Sequence, residues 1–478
     1  MSVTSESARP SSSVGRNSAL YLLGALFQGA GVFLLQPITL RVLHDDFKWQ
    51  ELFLSISVIQ VGVVLATAGL PLEITNSWFE KDNGPKRSRA ISGFLSFGGA
   101  GLGVVIGLGY IAIANFTGWP PVFGLAIIAL GFQASVLSAQ AILRAKGQAV
   151  RFVALSLMSS MGAYAVGLLV MVIWGPEPFY FMLGYLSGVL VSAMVAWAWT
   201  KPSNPWSMPG IVRESLRIGL PVLPHTGALM LMTQGMPFLL AVVAAPGLSG
   251  DYGKVQIFVL GTITVLNALN NAWVASIMSS RGEARTAQVS RIARTASWIS
   301  VILVFLAACA ANVVVHLMAQ GKETLIPLAQ VMPLVAVGYA LYLTATTLLF
   351  AVRQTWWLAI LSPSALVLGI LIALFPAVQG NLTLVAVASA VSFVLLGAMY
   401  YLVARRYLSG HWPLKDFLFA GLLSVAFVVA AESLPRDLVT GLITLGVGGI
   451  VAVAGALVFL ARRRKAAAEV TVEDSLRP

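Results

Sequence analysis

The sequence is short of charge. Asp, Glu, Lys and Arg make up 10% of the 478 residues against 58% hydrophobic residues, and mean hydropathy is +0.87. A water-soluble chain of this length needs far more charge on its surface, so a soluble globular protein is excluded. Cysteine is nearly absent too. The one thiol, Cys309, lies inside an apolar run, so it can form neither an internal disulfide framework nor a cysteine metal site. A buried, inert thiol is expected, with no metal and no cofactor. Long polar connections are also missing. Outside the membrane the chain has only short turns, about 43–50, 116–120, 175–177, 245–251, 319–323, 377–380 and 434–436, too short for an extracytoplasmic domain.

What the chain has instead is apolar runs of about 18 residues or more, each able to cross about 30 Å of hydrocarbon as a helix. A barrel is excluded, because barrel strands alternate apolar and polar residues and are about half as long. Fourteen spans are expected, roughly 18–40, 51–75, 90–115, 121–143, 152–174, 178–199, 214–244, 252–278, 292–318, 324–351, 354–376, 381–403, 417–433 and 437–461. The expected fold class is an all-α polytopic membrane protein. The polar, Ser-rich residues 1–16 are expected to be a disordered cytoplasmic tail. The apolar run that follows is too long for a secretory signal and is expected to remain as an anchor.

The net charge of +12 raises the possibility of nucleic acid. Its distribution says otherwise. With the N-terminus inside, all but Arg41, Lys48, Lys254, Lys322 and Arg436 of the 30 Lys and Arg fall on inner segments. That bias is the positive-inside signature, with some attraction to anionic lipid, and it predicts both termini in the cytoplasm. No coherent basic face for nucleic acid is visible, so none is expected as a partner. The longest inner connection holds Pro202, Pro205 and Pro209. It divides the chain into a six-helix bundle at 17–200, a linker at 201–213 and a second six-helix bundle at 214–404. Two further helices at 405–461 and a basic tail at 462–478 complete the expected organisation. Two bundles joined in this way suit alternating access around a site between them.

"RVLHDDF", residues 41–47, places His44, Asp45 and Asp46 side by side, a candidate metal or acid–base group. The topology puts it in a turn of eight to ten residues. Asp45 and Asp46 are therefore expected to be solvated turn residues capping the second span, with Arg41 at the outer rim of a cavity. Charge is nearly absent from span interiors, where it costs at least several kcal/mol; Glu73, near Asn76, lies at an inner end and Lys254 at an outer start. Amides carry more information. Gln28 lies on a face of span one shared with glycines, and Gln36 precedes Pro37. Span eight holds Gln256, Asn267, Asn270 and Asn271, with Gln256 and Asn267 about three turns apart. Such amides either line a wet cavity or bond neighbouring helices. Span seven carries Pro221, Pro224 and Pro237 and is expected to kink or break; its Gln234 is a cavity candidate, and its His225 a structural residue.

Several stretches resemble polysaccharide-export flippases of the multidrug/oligosaccharidyl-lipid/polysaccharide exporter superfamily. "RNSALYLLGALFQGAGVFLLQPITLRVLHDDFKWQELFLSISVIQ" is similar to that family's opening, with Arg41, Leu43, Asp45, Asp46 and Phe47 at its Arg-x-Leu end and acidic turn. Gly219, Leu220 and Pro221 stand at its Gly-Leu-Pro, Gly250 and Tyr252 at its Gly-x-Tyr, and Ala272 and Trp273 at its Ala-Trp; "ILRAKGQAVRFV" resembles its loop between helices four and five. Gly235 and Met236 stand where the family often has an Asp-Arg pair. The resemblance implies movement of a polyprenyl-pyrophosphate-linked oligosaccharide to the outer leaflet of a bacterial plasma membrane. Its implied partners are the bilayer and other polysaccharide-assembly membrane proteins. Amides on spans one, two, seven and eight would bond sugar hydroxyls, and Arg41, Lys254 or Arg353 would meet pyrophosphate. The alternatives are a cation-coupled multidrug exporter, which wants a membrane-embedded carboxylate, and a peptidoglycan-precursor flippase of the same fold. A glycosyltransferase using Asp45 and Asp46 would lack room around them. No enzymatic activity is expected.

Overall fold

The computed structural model describes residues 24, 35–407 and 412–475, with the side chains of 272, 275, 456 and 458–475 outside the description. Among the described residues there is no strand. The helices are α1 (35–43), α2 (Asp46–Thr67), α3 (Leu70–Trp78), α4 (Gly84–Gly93), α5 (Gly99–Thr117), α6 (Val122–Ala145), α7 (Ala149–Leu157), α8 (Ala163–Trp174) and α9 (Pro178–Thr200). They continue with α10 (Ile211–Gly219), α11 (Leu223–Gln234), α12 (Met236–Val243), α13 (Leu248–Val255), α14 (Ile257–Ser279), α15 (Gly282–Met318) and α16 (Ile326–Val331). The last are α17 (Val335–Ala351), α18 (Trp356–Val378), α19 (Leu382–Ala404), α20 (Leu414–Glu432) and α21 (Leu438–Ser475).

Twelve helices among the described residues are long and apolar enough to cross a membrane. A bent pair, Ile211–Gln234 with Met236–Val243, makes a thirteenth when taken as one span. The expected first span lies mostly outside the described residues. Two boundaries differ from expectation for local reasons. The run expected at 51–75 breaks at Ala68 and Gly69, both at positive φ (46° and 73°), and Pro71 opens α3. α15 extends ten residues upstream of its apolar run, because its charged first turns remain competent to form helix.

Packing divides into two main cores. One gathers Leu43, Trp49, Leu52, Val122, Tyr164, Phe181 and Val189 from α1 to α9. The other runs from Met232 to Val428, from α11 to α20. In the first core α5 and α6 approach backbone to backbone: a Cβ on Gly103 would lie 2.8 Å from the Gly131 Cα. With no hydrophobic drive between helices in lipid, such small residues are what let helices gain dispersion contact. α20 and α21 pack against α15.

Candidate functional site

The two cores meet along a seam formed by α2 with α11 and α13, and by α3 with α10. α2 is 22 residues long, so at about 1.5 Å per residue its two ends lie at opposite membrane faces.

The seam is held at its Asp46 end by polar contacts. Asp45 caps α2, its carboxylate accepting from the backbone N–H of Phe47 at 2.7 Å and Lys48 at 3.1 Å. This leaves Asp46 free to face the second core. Lys254 on α13 donates to Asp46 and, at 3.0 Å, to Asp251. Lys322, in the turn before α16, donates to both carboxylates at 2.6 Å. Two aspartates and two lysines thus alternate around a closed ring. Burial alone would pull the Lys322 ammonium down, but its hydrogen bonds to Asp251 and Asp46 outweigh that and hold its pKa above the usual lysine value. Asp46 is therefore a paired residue and not the solvated turn residue expected. The ring borders a cavity of about 310 Å³ that Arg41 and His44 also line.

Neighbouring contacts complete the closure. Gln50 on α2 caps the N-terminus of α13 from across the seam, its Oε1 accepting from Gly247 N at 2.9 Å and Gly250 N at 3.4 Å. Trp49 Nε1 donates to the Gly250 carbonyl at 3.0 Å, and Gln36 Nε2 reaches the Gly253 carbonyl at 3.4 Å. Such contacts need the backbones close. A Cβ on Gly253 would lie 2.6 Å from the Phe53 ring.

The opposite end is closed differently. Arg87 donates to Glu214 at 3.0 Å across the seam, and lies 3.5 Å from Glu80 and 3.8 Å from Glu73. Glu73 is buried and also accepts from Ser77 Oγ at 3.0 Å. A Cβ on Gly219 would overlap the Ala68 carbonyl oxygen at the break between α2 and α3.

Between these ends α11 and α12 bend by 63° at Gly235. Pro237 has no N–H for the Thr233 carbonyl, and the Gln256 side chain supplies one at 3.0 Å. Gln256 Nε2 also lies 3.3 Å from Gln234 Oε1. The helix expected to run on through span eight is itself interrupted at Gln256, between α13 and α14. Gln256 bonds to α11, whereas Asn267 bonds to α17. Asn267 accepts from the Tyr339 hydroxyl at 2.8 Å and Asn270 from Thr347 at 3.3 Å, both on α17, while Asn271 is exposed. His225 is buried beside Ser362 (2.8 Å), Tyr400 (3.2 Å) and Tyr342 (3.4 Å), joining α11 to α17, α18 and α19.

Of the residues singled out in the sequence, the structure brings Gln36, Arg41 and Lys254 to the Asp46 end and pairs Gln234 with Gln256. Glu73 and exposed Asn76 lie together on α3, and exposed Arg353 sits in the turn between α17 and α18. Gln28 lies outside the described residues. The sequence reading missed a cavity of about 250 Å³ lined by Gln60, Gln133, Ser159 and Ser160, with Met230 reaching in from the second core. Gln133 Oε1 is buried there without a hydrogen-bond partner. The available signal was the serine pair in an apolar run, which forms a π-helical turn at Met158–Gly162.

The chain shares its fold with solved membrane transporters. A solved lipid II flippase, MurJ, in an inward closed conformation superposes with a TM-score of 0.67, covering 94% of this chain and 98% of its own at 13% identity. An inward-facing multidrug resistance MATE family transporter gives 0.62, covering 82% of this chain and 94% of its own at 13% identity. A MOP superfamily transporter from Pyrococcus furiosus gives 0.59 at 14% identity, covering 83% of this chain and 95% of its own. No family's sequence profile matches the chain, and no curated protein matches it by sequence.

Proposed function

We propose that the protein moves a polyprenyl-pyrophosphate-linked oligosaccharide from the inner to the outer leaflet of a bacterial plasma membrane, opening the seam alternately at its two ends. The observation that carries this reading is the seam itself. It is closed at both ends by ion pairs and backbone contacts that can exchange with water, and amides and hydroxyls lie between. Such groups suit sugar hydroxyls, and the lipid tail can stay in the bilayer. Lys254, Arg41 and Lys322 at the Asp46 end and Arg353 at the other are the candidate pyrophosphate contacts; Gln36, Gln60, Gln133, Gln234 and Asn271 are candidate sugar contacts.

Two observations weigh against the alternatives. A cation-coupled drug exporter wants an available intramembrane carboxylate, and the one carboxylate buried among the described residues, Glu73, is held by Ser77 and Arg87. A glycosyltransferase would need Asp45 and Asp46, whose carboxylates are engaged as a cap and in the ion ring. Translocation of a peptidoglycan precursor is a second reading, favoured by the near-complete coverage of the lipid II flippase.

The test is leaflet exchange in vesicles carrying fluorescent polyprenyl-pyrophosphate glycans, lipid II or a cationic dye. Acceleration of the glycan lipids is expected. Rates equal to empty vesicles for every glycan lipid overturn the proposal, and acceleration of lipid II alone selects the second reading.

A further inference from the structure

At the Arg87 end, cations of the first core converge without carboxylates. Arg89 lies on α4, Lys146 follows α6, Arg151 is in the first turn of α7, and Lys201 follows α9. All four stand where helices leave the membrane on one face. Among the described residues none of them forms an ion pair, whereas Arg87 nearby is surrounded by three glutamates. Ser203, two residues past Lys201, donates its N–H to the Arg89 carbonyl at 3.0 Å, which brings that loop against α4. Burial, followed by repulsion from Arg89, Arg151 and Lys201, lowers the Lys146 pKa from its ordinary value. Aromatic faces fix the chains in place: Lys146 Nζ lies 5.3 Å from the Trp78 ring centre and the Arg151 guanidinium 5.8 Å from that of Trp199. A cation resting on a ring keeps its N–H groups unspent. Arg151 uses one of them, on Gln148 at 3.2 Å, and Arg89 Nε is buried with no partner. Four cations at neighbouring helix ends, none in an ion pair among the described residues and one with a buried, unpartnered guanidinium N–H, suit an anion.

We propose that Arg89, Lys146, Arg151 and Lys201 form a site for a lipid phosphate ester at headgroup depth, outside the seam. The site suits either an anionic phospholipid or, on the function proposed above, the pyrophosphate of an isoprenoid lipid before it enters the seam. The site does not depend on what crosses the seam, and the test is binding, not transport.

The full chain is purified in detergent and its retained lipids are read by native mass spectrometry. The probes are phosphatidylglycerol, phosphatidylcholine and farnesyl pyrophosphate. At least one of the two anionic lipids is expected to be retained at least tenfold over phosphatidylcholine. K146Q/R151Q should lose that preference, K146R should keep it, and R406Q, an exposed cation of the second core, should leave it unchanged. Displacement of phosphatidylglycerol by farnesyl pyrophosphate assigns the site to isoprenoid pyrophosphates; retention of phosphatidylglycerol against it assigns the site to bulk lipid, and both uphold a phosphate-ester site. A further readout separates folding from binding. K146Q alone should melt higher than wild type in lipid-free detergent, because repulsion is relieved, and gain less on adding the preferred lipid. Equal retention of all three lipids by wild type, or an unchanged preference in K146Q/R151Q, overturns the proposal.

Discussion

Gln256 shows how a single side chain can hold a broken helix. Pro237 leaves the Thr233 carbonyl without its helical donor, and the Gln256 amide provides a substitute. Removing that donor leaves a partly buried acceptor unpaired. Gln256→Leu should therefore lower stability by about 1–2 kcal/mol, read as a lower melting temperature, while Pro237→Ala in the same background should restore part of the loss by returning the backbone donor. No restoration would mean that Gln256 serves only the Gln234 contact. The sequence made both residues conspicuous, as an amide and a proline in apolar runs. Their partnership was not legible, because nineteen positions and a turn separate them and the bend decides which carbonyl is left open.

Where two backbones touch across the seam, a side chain has no room. Gly219 touches the Ala68 carbonyl at the junction of α2 and α3, so any larger residue must push α10 and α11 away from the first core. Gly219→Val is expected to weaken closure at the Arg87 end. In a Cys309→Ala background, a cysteine placed at Gln60 should then react faster with a water-soluble maleimide added from that face. An unchanged labelling rate would show that this contact does not set access. Gly219, Leu220 and Pro221 were visible as a motif through family resemblance. What the glycine is for became visible only with Ala68 beside it, since that residue belongs to the other core.

For the whole molecule, the Asp46 end is the place to test alternation. A Cβ on Gly250 would lie 3.0 Å from the Gln50 Cβ, so a small shift reaches the roughly 3.5–4.5 Å that a disulfide needs. Gln50→Cys with Gly250→Cys, in the Cys309→Ala background, should oxidise readily and abolish leaflet exchange, and reductant should restore it. Full transport by the cross-linked protein would exclude opening at this end.

The apolar helical class, the spans within the described residues and the broken seventh span follow from the sequence by itself, because apolar length, charge density and proline are properties of contiguous residues. The tertiary structure decided which polar groups act together. Asp46, Asp251, Lys254 and Lys322 come from segments up to 276 positions apart, and nothing in the spacing of "RVLHDDF" distinguishes an aspartate that caps its own helix from one that binds two lysines. Asp45 bonds to the turn it starts, whereas Asp46 meets its partners only when the second core is docked, so the first was open to local reasoning and the second was not.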